Sequence, residues 1–82
     1  MSVYANFESL EGTLSGEETF TFNRKSRKIV ITNDSASADL KYKFNVSEDF
    51  GTLKGTESLS LHFWSNQVIL NGNGPYRVWV YG

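Results

Sequence analysis

The chain has 82 residues, a formal net charge of −1 and no cysteine, and together these properties exclude several classes of protein. Its length leaves room for one hydrophobic core, so we expect a single domain spanning residues 1–82. Bulk electrostatics would not hold a near-neutral chain to nucleic acid or an anionic membrane, and no apolar run approaches the roughly 20 residues of a membrane helix.

An alternation of apolar and polar residues, the period of a half-buried strand, recurs along the chain. Residues 1–14 are ambiguous and are predicted to form either an N-terminal arm or an edge strand. Further strands are predicted at 19–22, 28–32, 39–46, 58–63, 67–70 and 76–81. In the clearest of these, 39–46, the residues expected to face the core are Leu40, Tyr42, Phe44 and Val46.

Turn-forming residues separate these predicted strands. They lie at 15–16, 33–35, 50–51, 54–56, 65–66 and 71–75. Short strands at this spacing, punctuated by turns and without a helix, predict an all-β fold. We expect one small antiparallel β-sandwich, Ig-like or jelly-roll-like, with about six to eight strands. A domain of this size buries only about 60% of the surface of its unfolded chain, so self-association would add stability.

Residues suited to catalysis or metal binding are sparse. The one histidine, His62, is predicted on an exposed strand face, where ordinary surface is the simpler interpretation. The neighbouring carboxylates at 17–18 and 48–49 are predicted in loops, and the acidic residues lack the spacing of a calcium loop. The sequence therefore predicts no catalytic residue, no cofactor site and no metal site.

Two sequences match the acceptor pattern for N-glycosylation, one beginning at Asn33 and the other at Asn45. Residues 1–7 lack the basic start and apolar stretch of a secretion signal. We therefore expect both matches to be coincidental.

A dense basic cluster occupies residues 24–28, where four positive charges fall within five residues. Its charged members are Arg24, Lys25, Arg27 and Lys28. A solvated connection between strands and a binding surface for an acidic partner are both consistent with this pattern. The acidic residues of the preceding segment are one hypothetical partner, within one chain or between subunits: Glu8, Glu11, Glu17 and Glu18.

Large aromatic residues are predicted on the outer face of the fold. If the core takes alternate residues of 76–81, then Arg77, Trp79 and Tyr81 face outward, and the same alternation at 58–64 turns Trp64 outward. Three interpretations stay open: cover by another part of this chain, a protein interface, and stacking against sugars. Together with the basic cluster, these four residues form the candidate interface.

Four short segments carry a resemblance to a known group of proteins. They are Ile31-Thr32-Asn33-Asp34, Asp39-Leu40, Thr52-Leu53-Lys54-Gly55-Thr56-Glu57 and Gly74-Pro75-Tyr76-Arg77-Val78. In order they hold an Asn-Asp turn, an alternating strand, a Leu-Lys-Gly-x-Glu turn and a closing strand with Tyr-Arg near its start. Over residues 29–82 the sequence resembles small β-sandwich modules of tailed-bacteriophage and prophage structural proteins.

That resemblance implies a non-enzymatic virion component in many copies: a capsid decoration or head fibre protein, or a tail or baseplate accessory module. It would assemble in the host cytoplasm, and its partners would be further copies of itself or other virion proteins. The net charge of −1 adds the expectation of no nucleic-acid and no membrane partner. The alternative is a carbohydrate-binding module for attachment to a host-surface glycan. Its stacking platform would be Trp64, Trp79 and Tyr81.

Overall fold

The structure is a computed structural model that describes residues 8–45 and 49–81, without the side chains of 8, 23–27, 63–65 and 81. Its strands are β1 (Glu8–Asn33), β2 (Leu40–Lys43), β3 (Gly51–Leu53) and β4 (Ser58–Tyr81). All pair antiparallel in one sheet, in the order β1-β4-β2-β3. The predicted all-β antiparallel class is confirmed.

The two long strands, β1 and β4, form a curled ribbon. Residues 8–21 pair with 67–80, and beyond a register shift residues 28–32 pair with 58–62. The ribbon then meets itself, because residues 28–33 also pair with 76–81. Each long strand therefore supplies two paired segments, which with β2 and β3 give six, within the predicted range.

The curl divides the sheet into two halves. In the first, called the four-strand half, the order is 58–62, 28–33, 76–81 and 8–14. In the second, residues 67–72 lie between residues 17–21 and β2, and β2 pairs with β3. The predicted two-sheet sandwich is therefore not confirmed: a single bent sheet encloses the core.

The core lies on the inner face of the curl. Its most deeply buried members are Leu14, Ile29, Ile31, Val68, Leu70, Val78 and Val80, and the partly buried residues around them are Leu10, Phe20, Tyr42, Phe44, Leu59 and Leu61. The alternation predicted from Leu40 to Phe44 is confirmed, since these residues contact the core. β2 is shorter than predicted, and Val46 lies outside the described residues.

The predicted turn at 71–75 is wrong, since these residues continue β4. Gly72 allows close backbone contact there, because a Cβ on it would lie 3.0 Å from the carbonyl oxygen of Asp39. Pro75 fits the strand because its carbonyl still accepts a 3.1 Å hydrogen bond from the Asp34 amide. The turn-like composition therefore reflects close packing between neighbouring segments.

Three further predicted turns also differ from the structure. Residues 15–16 and 65–66 lie inside β1 and β4, and Gly51 begins β3. Gly16 has a φ of 125°, a conformation that favours glycine, so the chain passes it without ending the strand. Glu17 and Glu18 accordingly lie on β1 instead of in a loop. The connections predicted at 33–35 and 54–56 do lie between strands, with residue 33 ending β1.

A single polar side chain is buried among the described residues. Asn33 is 2% exposed, and its Nδ2 donates to the carbonyls of Ala38 at 2.8 Å and of Leu53 and Lys54 at 3.0 Å. Its Oδ1 accepts from the Ser35 amide at 3.0 Å. The two amide hydrogens of Asn33 are thus shared among three carbonyl acceptors. They join the end of β1 to the loop after it and to the end of β3.

These hydrogen bonds show whether the glycosylation pattern that begins at Asn33 could carry a glycan in the folded chain. A glycan on Asn33 would have to replace them inside the core, and it would take a donor away from each of three carbonyls, of which that of Lys54 keeps the Glu57 amide at 3.1 Å. In the folded chain this match is therefore coincidental. The second match extends into residues outside the described part of the chain.

Tyr76 makes the stability of the fold depend on pH in the alkaline range. Its ring packs against Phe20 at a centroid distance of 5.6 Å, and burial raises the pKa of its hydroxyl, with a further contribution from the charge of Glu18. Because the folded-state pKa exceeds the unfolded one, the stability contributed by the protonated Tyr76 hydroxyl is complete below the ordinary pKa of about 10 and is lost as pH rises through the folded-state pKa.

In urea unfolding at about pH 9 and about pH 11, Tyr76→Phe should lose less stability with pH than the wild type. Parallel losses in the two proteins would contradict this origin.

Candidate functional site

The outer face of the four-strand half carries a surface that we call the outer patch. It consists of Val30, Thr32, Arg77 and Trp79, which line a shallow groove of about 80 Å³. Trp79 is 47% exposed and is the one large hydrophobic side chain that is exposed among those the structure describes. An aromatic surface on a strand of known orientation is therefore available to a partner.

Strand pairing places the members of the outer patch side by side. Cross-strand pairs join Trp79 to Ser9 and Val30, and join Arg77 to Glu11 and Thr32. The residues that follow each of them in β4, Val78 and Val80, are fully buried on the inner face. Because the core fixes every second residue, the outward direction of Arg77 and Trp79 is fixed as well.

A bidentate ion pair borders the outer patch. The Arg77 Nε lies 2.8 Å from Asp34 Oδ2, and its Nη2 lies 3.0 Å from Asp34 Oδ1. This hydrogen bonding, followed by the charge of Asp34, raises the pKa of Arg77. The fork geometry holds the guanidinium plane in place and leaves the pair without net charge. The outer patch thus combines apolar and aromatic surface with one cation, Arg77, which Asp34 at the border already neutralises.

Several predicted interface residues can be placed. Arg77 and Trp79 are exposed and adjacent on the outer face, as the alternation predicted, and Lys28 is half-buried two residues before Val30 on the same strand. The described part of the chain covers Trp79 only in part, since 47% of its surface is exposed.

The remaining predicted residues stay untested. The side chains of Trp64, Tyr81, Arg24, Lys25 and Arg27 lie outside the described residues. The backbone of the basic cluster runs beside 62–65 in β4, through the pairs Ser26–Ser65 and Lys28–His62. The hypothesis that Glu8, Glu11, Glu17 and Glu18 pair with this cluster therefore remains a prediction.

Sequence reasoning missed half of the outer patch and its border. Val30 and Thr32 lie in the strand predicted at 28–32, where no outward face was predicted, and both are half-buried. Asp34 lies 43 positions before its partner Arg77. Only the register of residues 28–33 against 76–81 brings these residues together, and no local pattern encodes that register.

Other functional features are few in the described chain. Within residues 8–45 and 49–81, no three histidine or acidic side chains come together as metal ligands. His62 is exposed on its strand. No helix in this part of the chain is long and apolar enough to cross a membrane.

Comparisons with known proteins place the fold but not the family. The sequence matches no protein-family model and shows no significant similarity to a curated protein. Among solved structures, the chain is similar to PliG of Aeromonas hydrophila, a periplasmic inhibitor of g-type lysozyme, with a TM-score of 0.53, 12% identity, and coverage of 99% of this chain and 90% of PliG. The Tobacco streak virus coat protein is a weaker match, with a TM-score of 0.35, 11% identity, and coverage of 100% of this chain and 90% of that one. The likeness to PliG shows that the two proteins share a fold.

Proposed function

We propose that the chain is a non-enzymatic structural protein of a phage virion that binds neighbouring proteins through the outer patch. The observation that carries this proposal is the exposure of Trp79 beside Arg77 on a strand fixed by the core. Tryptophan and arginine are enriched at the energetic centres of protein interfaces. Arg77 enters such an interface already paired with Asp34, which reduces the penalty for removing its charge from water.

The virion assignment draws on the resemblance over residues 29–82. Its four segments meet in space, through the Arg77–Asp34 ion pair, the Asn33 hydrogen bonds to residues 53 and 54, and a 3.5 Å contact from Lys54 Nζ to Asp39 Oδ2. Segments far apart in sequence therefore form one structural unit. The fold itself does not select the partner, since PliG has the same fold and is a lysozyme inhibitor.

Carbohydrate binding is the competing proposal, and the same tryptophan favours it. Sugars stack on exposed aromatic rings, and they also need polar groups aimed at their hydroxyls. Near Trp79 the Thr32 hydroxyl is already hydrogen-bonded with Ser58 at 3.1 Å, and Arg77 is paired. The groove of about 80 Å³ is also far smaller than the ~300 Å³ or more of typical ligand pockets. These features favour a protein partner over a sugar.

Replacing Trp79 with serine tests the proposal. The phage or prophage that encodes the chain would be produced without this gene, and purified protein would be added back to its particles. Wild-type protein should co-sediment with the particles, and Trp79→Ser should bind about 30-fold more weakly, the loss expected for an interface centre worth about 2 kcal/mol. Because the side chain is not among the buried core residues, the variant should still fold.

Lys41→Ser is the matched control, since Lys41 is exposed on β2 outside the outer patch. It should bind particles like the wild type. Failure of the wild-type protein to bind, together with its absence from purified particles by mass spectrometry, would overturn the virion role. If soluble saccharides changed the tryptophan fluorescence of the wild type but not of Trp79→Ser, carbohydrate binding would replace it.

A further inference from the structure

The four-strand half ends in two strands whose outer edges pair with no described residue. On one side is the segment 8–14, which pairs only with 74–80. On the other side is the segment 58–62, which pairs only with 28–32. Unpaired edges of this kind are templates for another strand, so each is a candidate binding surface.

Hydrogen-bond alternation shows which groups the 58–62 edge presents. The Asn33 amide donates to the Glu57 carbonyl at 2.9 Å, so this pair is a hydrogen-bonded one. Hydrogen-bonded and open pairs alternate along an antiparallel ladder. Every second residue after Glu57 therefore bonds inward, and the amides and carbonyls of the others face away from the sheet. Those others are Ser58, Ser60 and His62.

The 8–14 edge alternates in the same way. The Asp34 amide donates to the Pro75 carbonyl, so Arg77 and Trp79 bond toward 28–33. The alternate residues of β4 consequently bond toward 8–14 and satisfy every second residue there. Among residues 9–13, those left with outward amides and carbonyls are Ser9, Glu11 and Thr13. The two edges thus present three residues each, and those of both edges have their side chains on the outer face.

Both edges also leave apolar side chains incompletely covered on the inner face. Leu10 lies at the first edge, and Leu59 and Leu61 lie at the second. All three pack against the core but are only partly buried. A strand added along either edge would cover them, and leucines of the two edges would meet if the edges were joined.

The charges along the two edges favour some pairings between copies over others. The strand that begins with 8–14 continues through Glu17 and Glu18, and with Glu11 it carries three exposed acids. Pairing of this edge with itself, antiparallel about Leu14, would set Glu11 beside Glu17 of the other copy, which is repulsive. The 58–62 edge has no acidic residue and runs beside Lys28. The acidic edge is therefore matched to the neutral edge and not to itself.

Strand direction permits this match. Neighbouring strands alternate in direction across the four-strand half, so the two outermost strands run in opposite directions. A second copy in the same orientation would place its acidic edge antiparallel to the neutral edge of the first. Such a contact uses different surfaces on the two copies, so it leaves one edge free at each end and repeats.

We propose that copies of this chain join head to tail, with the 8–14 edge of one copy added as a strand to the 58–62 edge of the next. The joined sheet continues from copy to copy and closes as a ring or extends as a fibre. This contact uses the strand edges and not the outer patch, so it holds whether or not the protein belongs to a virion.

Two proline variants test the contact by blocking one edge each. Ser60→Pro and Thr13→Pro remove an outward amide hydrogen and should leave the internal ladder intact, with Ser60→Ala and Thr13→Ala as matched controls. Sedimentation velocity over a range of concentrations should show oligomers for the wild type and for both alanine controls. Each proline variant alone should sediment as a monomer, and an equimolar mixture of the two should form a 1:1 dimer through the one intact pair of edges.

Each other outcome would contradict the proposal. A wild-type monomer at all concentrations would overturn self-association. A dimer of Thr13→Pro alone would indicate that the 58–62 edge pairs with itself. Trp79→Ser should still form oligomers, and its failure to do so would assign association to the outer patch instead.

A charge variant covers the case in which a proline variant does not fold, as judged by circular dichroism. Glu11→Lys should weaken self-association by about fivefold in dilute salt, and the difference from wild type should shrink as salt is added. Lys41→Glu, which changes an exposed charge away from both edges, is its control. Equal association of Glu11→Lys and the wild type would refute the charge-matched contact.

Discussion

Asn33→Ala is expected to lower the free energy of unfolding by about 3 kcal/mol. The change removes one donor from each of three backbone carbonyls, of which that of Lys54 keeps the Glu57 amide, and it removes the acceptor for the Ser35 amide. A buried polar group left without a partner is destabilising by about 1 to 3 kcal/mol, and water can reach some of these groups because only the bond to Leu53 is fully buried. Urea unfolding monitored by circular dichroism measures the loss, which is a large share of the 5 to 15 kcal/mol typical of a domain.

Two further variants isolate the cause of this loss. Asn73→Ala, at an exposed position, should change the free energy of unfolding by less than about 0.5 kcal/mol. Asn33→Asp keeps the acceptor and the shape but turns a second oxygen toward three carbonyls, so it should be at least as destabilising as alanine at neutral pH. If Asn33→Ala lowered the free energy of unfolding by less than about 1 kcal/mol, the hydrogen bonds of Asn33 would not be what holds the loop after β1 and the end of β3 to the end of β1.

Ile31→Ala is expected to be destabilising by about 2 to 5 kcal/mol, the range for removing a large aliphatic side chain from a packed core. Ile31 is fully buried, and its strand lies between those of Leu59 and Val78 in the middle of the four-strand half. No neighbouring strand can move inward to fill the space without breaking its own ladder. The cavity should therefore persist, and the loss should fall in the upper part of the range.

Val30→Ala is the matched control for this prediction. Val30 is the adjacent β-branched residue, half-buried on the outer face. Its replacement should be destabilising by less than about 1 kcal/mol, because the side chain that is shortened is only half-buried and does not lie in the closed core. Equal losses for the two variants would show that the inner and outer faces of this strand have been assigned incorrectly.

Local periodicity was sufficient to predict the class of the fold and the direction of several side chains. The alternation at 39–46 placed Leu40, Tyr42 and Phe44 against the core, and that at 76–81 turned Trp79 outward. Both inferences need only the two-residue repeat of a strand whose one face is buried. They do not depend on which strand lies next to which.

The continuous strands and the single curled sheet could not be predicted in the same way. Glycine and proline at 72–75 are typical of a turn, but here they allow close approach of Asp39 and tolerate a missing donor. The ion pair between Asp34 and Arg77 likewise depends on a register set by the whole ribbon. Such features follow from long-range pairing, and a short window of sequence does not contain it.

The pairing of residues 8–21 with 67–80 has a consequence for how the protein is made. During synthesis the first segment has no native partner until the second has left the ribosome, so this part of the ribbon cannot form before then. Folding dominated by contacts of such large sequence separation is slow, on the order of milliseconds to seconds. Throughout this interval the first segment exposes apolar residues such as Leu10, Leu14 and Phe20 to water. The acidic residues between them carry like charges, and their repulsion opposes aggregation of the unfolded chains.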